Sequence, residues 1–375
     1  MGGNTFSHDA FKKARAQHTQ DGASATARGE ETVCRTGKLD PLVDPAEYGV
    51  IRPSRIRLKE RPDGSFVVEV GTSVPTEYRV DTTGSMGDNV DRALAALPQL
   101  CDLVAEMLPG RDPFYCASIF GDLMDRQGRG FPLCRGQFEC EAGKMVNQLT
   151  LMHPARDGCG NGGEDPHYGF FASAYLTNSY FRRIGLKSYD FTISDEPVHE
   201  GLSDRQLVRI FGDEVFEKVR ANGHELDRHH LPDNRELVQY LLTQAHAFGL
   251  LVEGRRSSLR AGWEDMFGKE HVIMLPRIEL VPHVMATIIG LTEGAIDLQS
   301  AVDFLTGREI GKGEAHQVVD AVAHIPLGAQ QTLPNFARMP KKGDVFATKT
   351  DLWPVDVSDS APKADEGGEP SGGWL

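Results

Sequence analysis

Apolar and polar residues alternate in two short runs near the start of the chain, Arg55-Ile56-Arg57-Leu58-Lys59 and Ser65-Phe66-Val67-Val68-Glu69-Val70, on either side of Arg61-Pro62-Asp63-Gly64. Alternation of period two around a Pro/Asp/Gly turn predicts a β-hairpin, expected as an antiparallel edge leading into a larger sheet. A further extended run, Glu77-Tyr78-Arg79-Val80, precedes apolar residues at helical spacing: Leu94, Leu97, Leu100, Leu103, Val104 and Met107. Beyond it the pattern predicts strands at 114–120, 131–138, 189–194, 250–252 and 272–275. Helices are predicted between them at 141–152, 166–181, 237–248 and 283–291. Strands alternating with helices imply an α/β fold, a mostly parallel central sheet flanked by helices on both faces.

This pattern divides the chain into five parts. Residues 1–45 are polar and rich in Gly, Ala, Thr and charge, which reads as a flexible arm. Residues 46–76 hold the hairpin, 77–300 the α/β domain, 301–335 a helical extension, and 336–375 a disordered acidic tail. Within the domain, 197–235 reads as an insertion of surface helix and loop carrying His199, His224, His229 and His230. It follows a strand end directly, so it should overhang whatever site that end carries.

Composition narrows the function classes. Of 375 residues, 40 are Lys or Arg and 54 Asp or Glu, for a net charge of −14. That balance argues against a nucleic-acid partner, which needs a basic footprint. The opening residues lack the apolar segment of a signal peptide, Phe6 stands where a myristoylation motif wants Ser or Thr, and no apolar run approaches a membrane span. A cytoplasmic location follows as the expectation. The six cysteines form no Cys-x-x-Cys pair and read as reduced thiols. Cys134, Cys140, His153 and Cys159 lie close in sequence, but their spacing fits no zinc module.

The candidate chemistry lies at Asp81-Thr82-Thr83-Gly84-Ser85-Met86-Gly87, on the loop from the 77–80 strand to the helix that follows. The C-terminal ends of strands are where open α/β sheets bind ligands. Asp81, Thr83 and Ser85 offer one carboxylate and two hydroxyls at alternate positions. These are hard oxygen donors, suited to Mg²⁺, Mn²⁺ or Ca²⁺. As a helix cap alone, the same residue types would serve hydrogen bonding.

Asp81-x-Thr83-Gly84-Ser85 resembles the Asp-x-Ser/Thr-x-Ser metal-ion-dependent adhesion site of von Willebrand factor A domains. Two further segments carry the resemblance: the strand Tyr189-Asp190-Phe191-Thr192-Ile193-Ser194 running into Asp195-Glu196, and the loop Gly162-Gly163-Glu164-Asp165-Pro166. The resemblance spans about residues 72–295 and is similar to intracellular bacterial members. It implies Asp81, Thr83, Ser85, Asp195 and one residue of the acidic loop as metal ligands. Asp165 is favoured there because Gly163 and Pro166 frame a tight turn; Glu164 is the alternative. It also implies Mg²⁺ (or Mn²⁺ or Ca²⁺) as the cation, no catalysis, and a protein partner offering an Asp or Glu carboxylate to the metal. By family habit, a MoxR-type AAA ATPase is a further expected partner. The acidic loop, where threonine is the commoner ligand, adds negative charge and should tighten cation binding while weakening the pull on a partner's carboxylate.

One reading of a different class stands beside it. The Asp81 loop also resembles the nucleophile loop of haloacid-dehalogenase-like phosphotransferases, in which Asp81 would attack a phosphoryl group, Lys187 would steady the phosphate and Asp195-Glu196 would hold Mg²⁺. Lys187 precedes a strand, however, where that fold expects a helix start.

Overall fold

The computed structural model describes residues 8–18, 26–47, 57–70, 73–109, 111–124, 130–156, 158, 160–177, 186–252, 259–308, 310–331 and 343–347. The strands are β1 Arg57–Glu60, β2 Phe66–Val70, β3 Ser73–Asp81, β4 Asp112–Phe120, β5 Leu133–Arg135, β6 Ser188–Ser194, β7 Ala245–Leu251, β8 Val272–Met274 and β9 Val345–Phe346. The helices are α1 His8–His18, α2 Ala27–Thr36, α3 Asn89–Met107, α4 Ala142–Leu151, α5 His167–Tyr175, α6 Asp204–Phe211 and α7 Val215–Ala221. Further on come α8 Asn234–Gln244, α9 Leu259–Phe267, α10 Val281–Thr292, α11 Leu298–Leu305 and α12 Lys312–Val322. No helix among the described residues is long and apolar enough to cross a membrane.

The main sheet has the order β5-β4-β3-β6-β7-β8, with every pairing parallel except that of β5. The expected α/β architecture therefore holds. One face buries Tyr78, Val80, Ile119, Phe191 and Ile193 against α3, α4 and α10. The other meets α5, α8 and α9 through Phe170, Phe171, Leu237, Trp263 and Ala247. Within this sheet the chain enters at β3, adds β4 and β5 on one side, then crosses to β6, β7 and β8 on the other. The C-terminal ends of β3 and β6 therefore flank a topological switch point.

Several expected boundaries change. The hairpin forms as β1 and β2, but it pairs with β9 in a separate three-stranded sheet rather than as an edge of the main one. β3 begins at Ser73, four residues before the expected start of the domain. The predicted helix over 237–248 ends at Gln244, and Ala245 already starts β7, where it and Ala247 pack beneath α8 and α9. α5 closes at Tyr175, short of its predicted end, with Leu176 as its cap; 178–181 of the predicted span lie outside the described residues, as do Cys159 and all of the tail except 343–347.

Where a flexible arm was expected, α1 and α2 form and Leu39 and Val43 are buried. The small residues that suggested flexibility serve close approach: a Cβ on Gly29 would lie 2.0 Å from the carbonyl oxygen of Met152. The insertion is likewise more than a surface loop, because α6 and α7 bury Leu207, Phe211, Val215 and Val219 in the core that holds Phe171 and Tyr175.

β3 lies at the middle of a sheet covered on both faces, where continuous apolar runs are usual. Its alternation of charge and apolar residue instead sends Tyr78 and Val80 to the apolar face and Glu77 and Arg79 to the other. Arg79 is fully buried. Its Nη1 donates to Asp190 Oδ1 at 2.9 Å, and its Nη2 donates to Asp190 Oδ2 at 3.0 Å, to Glu77 Oε1 at 3.0 Å and to Ser173 Oγ at 2.9 Å. Arg135 of β5 donates through Nε and Nη2 to both oxygens of Glu77, at 2.9 and 2.6 Å. Burial pushes the Glu77 carboxyl up, but Arg135 and Arg79 outweigh it and hold the group at about 2. Two guanidinium groups and two carboxylates thus form a neutral buried layer under α5. Gly169 makes room for it, since a Cβ there would lie 2.1 Å from Arg79 Nε.

Gly249 of β7 has a similar role. A Cβ there would come within 2.6 Å of the Trp263 ring, and the Trp263 Nε1–H donates to the Glu196 carbonyl at 3.1 Å, beside Asp195. Gly249→Ala is expected to cost about 1–3 kcal/mol through overpacking. Urea unfolding should show a lower midpoint at unchanged slope; an unchanged midpoint would mean that the ring shifts freely.

Candidate metal centre

The loop after β3 is tied down on both sides. The Thr82 N–H and hydroxyl both donate to the Phe120 carbonyl at 2.9 Å, the Arg156 N–H donates to the Thr82 carbonyl at 2.7 Å, and Met86 is buried. Gly84 and Ser85 are left exposed between these anchors. Gly87 takes φ 48°, in the left-handed region, just before α3 begins.

These anchors line up a chain of oxygens. Asp81 Oδ1 accepts from the Thr83 N–H at 2.9 Å and from the Thr83 hydroxyl at 2.7 Å. Thr83 Oγ1 lies 3.2 Å from Ser85 Oγ, which donates to Asp195 Oδ1 at 2.8 Å. On the far side, the Ser194 hydroxyl donates to Asp81 Oδ2 at 2.7 Å. Neighbouring ligands around an octahedral Mg²⁺, with bonds of about 2.0–2.1 Å, are separated by about 2.9 Å. The successive oxygens of this chain already have that spacing, and all are hard donors. The group fits a small divalent cation.

Its electrostatics point the same way. Asp81 is fully buried, and burial pushes its carboxyl up to about 7, helped by the nearby Asp195 carboxylate and opposed by the donors from Thr83 and Ser194. A buried carboxylate facing a second carboxylate is an electrostatic deficit that a cation removes.

Four of the residues expected as ligands, Asp81, Thr83, Ser85 and Asp195, are therefore brought together. Asp165 has different partners: its Oδ2 accepts from the Leu123 N–H at 2.7 Å, and its Oδ1 lies 3.1 Å from His199 Nδ1. Burial raises its carboxyl, but His199, His167 and the Leu123 N–H outweigh it and hold the group below the usual range. Glu164 is bound through its backbone, its N–H donating to the Pro197 carbonyl and its carbonyl accepting from the His199 N–H, both at 2.9 Å. Asp122, Asp165 and His199 offer three ligand atoms within 4.8 Å of one another.

Ser194, Asp122, His167 and His199 were not singled out as site residues from the sequence. A signal existed for the first two, since Ser194 directly precedes Asp195 and Asp122 lies two residues past the end of β4, the strand adjacent to β3. His199 stood in the insertion expected to overhang the site, and for His167 there was no signal; only the tertiary fold brings the two to Asp165. Among the cysteines expected to be plain thiols, Cys134 is buried and donates to the His153 carbonyl at 3.7 Å. Lys187 donates to the Leu242 carbonyl at the start of β6. The length of that strand, about 20 Å at roughly 3.3 Å per residue, separates it from Asp195.

No protein-family profile matches the chain, and no curated protein is significantly similar to it. Solved structures do overlap with it. The pilus adhesin SpaC from Lactobacillus rhamnosus GG, in its open conformation, superimposes with a TM-score of 0.38 at 12% identity over 63% of this chain and 33% of its own. A von Willebrand factor type A protein from Catenulispora acidiphila gives 0.30 at 12% identity, over 60% of this chain and 44% of its own. The three N-terminal domains of the type V pili tip protein Mfa5 from Porphyromonas gingivalis give 0.30 at 9% identity, over 59% and 53%. The chain thus spans from a third to about half of the length of these proteins.

Proposed function

We propose that Asp81, Thr83, Ser85 and Asp195 hold a divalent cation of the Mg²⁺ class, and that the chain uses it as a bridge to a carboxylate on a protein partner. The observation that carries this reading is the run of oxygens from Asp81 through Thr83 and Ser85 to Asp195, spaced at 2.7, 3.2 and 2.8 Å. Exposed Ser85 marks its solvent side. The protein supplies only part of an octahedron there, and Mg²⁺ keeps the remaining positions as water until another oxygen replaces one. A partner's Asp or Glu side chain is the proposed replacement, with a MoxR-type ATPase among the proposed partners. The role is that of an adaptor rather than an enzyme. The distance of Lys187 from Asp195 along β6 speaks against the phosphotransferase alternative, which needs a cation beside the acidic group.

Calorimetric titration with Mg²⁺ and Mn²⁺ tests this. Wild type should bind the ion, Ser85→Ala should bind it about tenfold more weakly, and Asp81→Ala should show no binding. A wild-type chain that binds neither ion would refute the bridge. If binding is found, a pull-down that depends on the same ion should recover the partner, and adding free acetate should compete with it.

A further inference from the structure

A second group of metal-type ligands stands at the same end of the sheet and shares no residue with the oxygen group of Asp81, Thr83, Ser85 and Asp195. Asp122 follows β4, Asp165 and His167 surround the start of α5, and His199 lies in the segment after β6. Asp165 Oδ1 is 3.1 Å from His199 Nδ1, and that nitrogen is 4.0 Å from Asp122 Oδ1. The second observation is His167. Its side chain is 1% exposed, and neither ring nitrogen makes a hydrogen bond among the described residues. Its Nε2 lies 3.9 Å from Asp165 Oδ1. Buried polar atoms in folded proteins nearly always have a partner. An imidazole left with none, beside a carboxylate that already faces a second imidazole, has the arrangement of a ligand whose ion completes it.

We propose that Asp122, Asp165, His167 and His199 form a second cation site, which takes a borderline transition-metal ion of the Zn²⁺ class. Two imidazole nitrogens and two carboxylate oxygens suit such an ion, while Mg²⁺ and Ca²⁺ prefer oxygen alone. In a tetrahedron with bonds of about 2.0–2.1 Å, ligand atoms lie about 3.3 Å apart. Asp122, Asp165 and His199 already offer ligand atoms within 4.8 Å of one another, and the His167 ring, 3.9 Å from Asp165 Oδ1, turns in to supply the fourth. Two carboxylates balance the charge of a divalent ion.

Outer contacts already orient the ligands, as metal sites require. The Leu123 N–H donates to Asp165 Oδ2, the Met124 N–H donates to Asp122 Oδ1, both at 2.7 Å, and the Asn161 amide donates to Asp122 Oδ2. Gly163 leaves the space that the His199 ring occupies, since a Cβ there would lie 2.5 Å from His199 Cδ2. The His199 side chain is 28% exposed and gives the ion its way in. An ion held there locks the segment that leads into α6 onto the acidic loop before α5, so it fixes the insertion relative to the site at Asp81.

The test titrates Co²⁺ into the full chain in the presence of Mg²⁺ and reads the visible absorption of protein-bound Co²⁺. One equivalent should bind, with no thiolate charge-transfer band. Binding should persist in Asp81→Ala and in the double variant His229→Ala/His230→Ala. It should weaken at least tenfold in His199→Ala, whose partly exposed side chain can be removed with circular dichroism unchanged. Gly163→Ala, which keeps every ligand and displaces the His199 ring, should weaken it as well. The site is overturned if wild type binds no Co²⁺, if His199→Ala binds as wild type does, or if binding disappears in Asp81→Ala. The last result would support the Asp81 site as the sole cation position. Failure of Mg²⁺ to bind would refute the bridge and leave the Co²⁺ result standing.

Discussion

Replacing Arg79 by methionine should destabilise the chain by on the order of 3–5 kcal/mol, the cost of removing one partner from a buried ion pair. Asp190 would lose both of its guanidinium hydrogen bonds and Glu77 one of three, leaving two buried carboxylates with Arg135 alone. Chemical denaturation would measure the loss as a lower midpoint. Adding Asp190→Asn to Arg79→Met restores neutrality, so the second change should cost much less than it does in wild type. The coupling in that double-mutant cycle should reach about 0.5–3 kcal/mol. If the two changes are additive, the layer does not act as a unit. The same layer sets a limit in acid. The folded carboxyl of Glu77 is held at about 2 against an ordinary 4.5, so its contribution is complete above pH 4.5 and is lost as pH falls toward 2.

Asp81→Asn should act in the opposite direction, raising the stability of the metal-free chain while abolishing its response to Mg²⁺. In the folded state the Asp81 carboxyl is raised to about 7 by burial, from an ordinary 3.8. Below pH 3.8 it is protonated in both the folded and unfolded states and has no effect. Between 3.8 and 7 the unfolded chain ionises while the folded one keeps its proton, so wild-type stability falls by about 1.4 kcal/mol per pH unit. Above pH 7 the full deficit is present. Asparagine carries no charge and keeps an acceptor for the Thr83 donors, so the advantage of Asp81→Asn should grow across this window to a few kcal/mol at pH 8. Mg²⁺ should stabilise wild type as ligand binding does, by mass action, and leave the variant unchanged. Because the ion displaces a proton, its affinity for wild type should fall about tenfold per pH unit below pH 7. Thermal unfolding at pH 5 and pH 8, with and without Mg²⁺, measures all of this. A variant less stable than wild type at pH 8 without metal would mean that Asp81 serves the fold rather than a cation.

These two residues lie two positions apart on one strand, and they show where sequence reading reached and where it stopped. From the sequence, Glu77-Tyr78-Arg79-Val80-Asp81 is an extended run ending in a carboxylate, and its period of two sends 77, 79 and 81 to one face. That the face carrying Glu77 and Arg79 is buried was not legible. Alternation of charged and apolar residues ordinarily marks a strand with one face in water. Here the compensating charges come from Asp190, 111 positions away, and from Arg135, 58 positions from Glu77. No local pattern contains them.

Local order along the chain thus determined the alternation of strands and helices, the turn between β1 and β2, and the grouping of Asp81, Thr83 and Ser85. Each depends on residues within a few positions of one another, where periodicity and turn chemistry act directly. The meeting of Asp195 with Ser85 was foreseen only through resemblance. Tertiary structure alone decided the rest: β1 and β2 in a sheet of their own with β9, α1 and α2 folded where an arm was expected, and Asp165 turned toward His167, His199 and Asp122. Those outcomes depend on which surfaces meet across long separations, through a bare Gly29 or Gly163, a buried Val43, or a helix laid over paired charges. Such contacts are set by the packing of the whole chain, and composition and spacing carry no record of them.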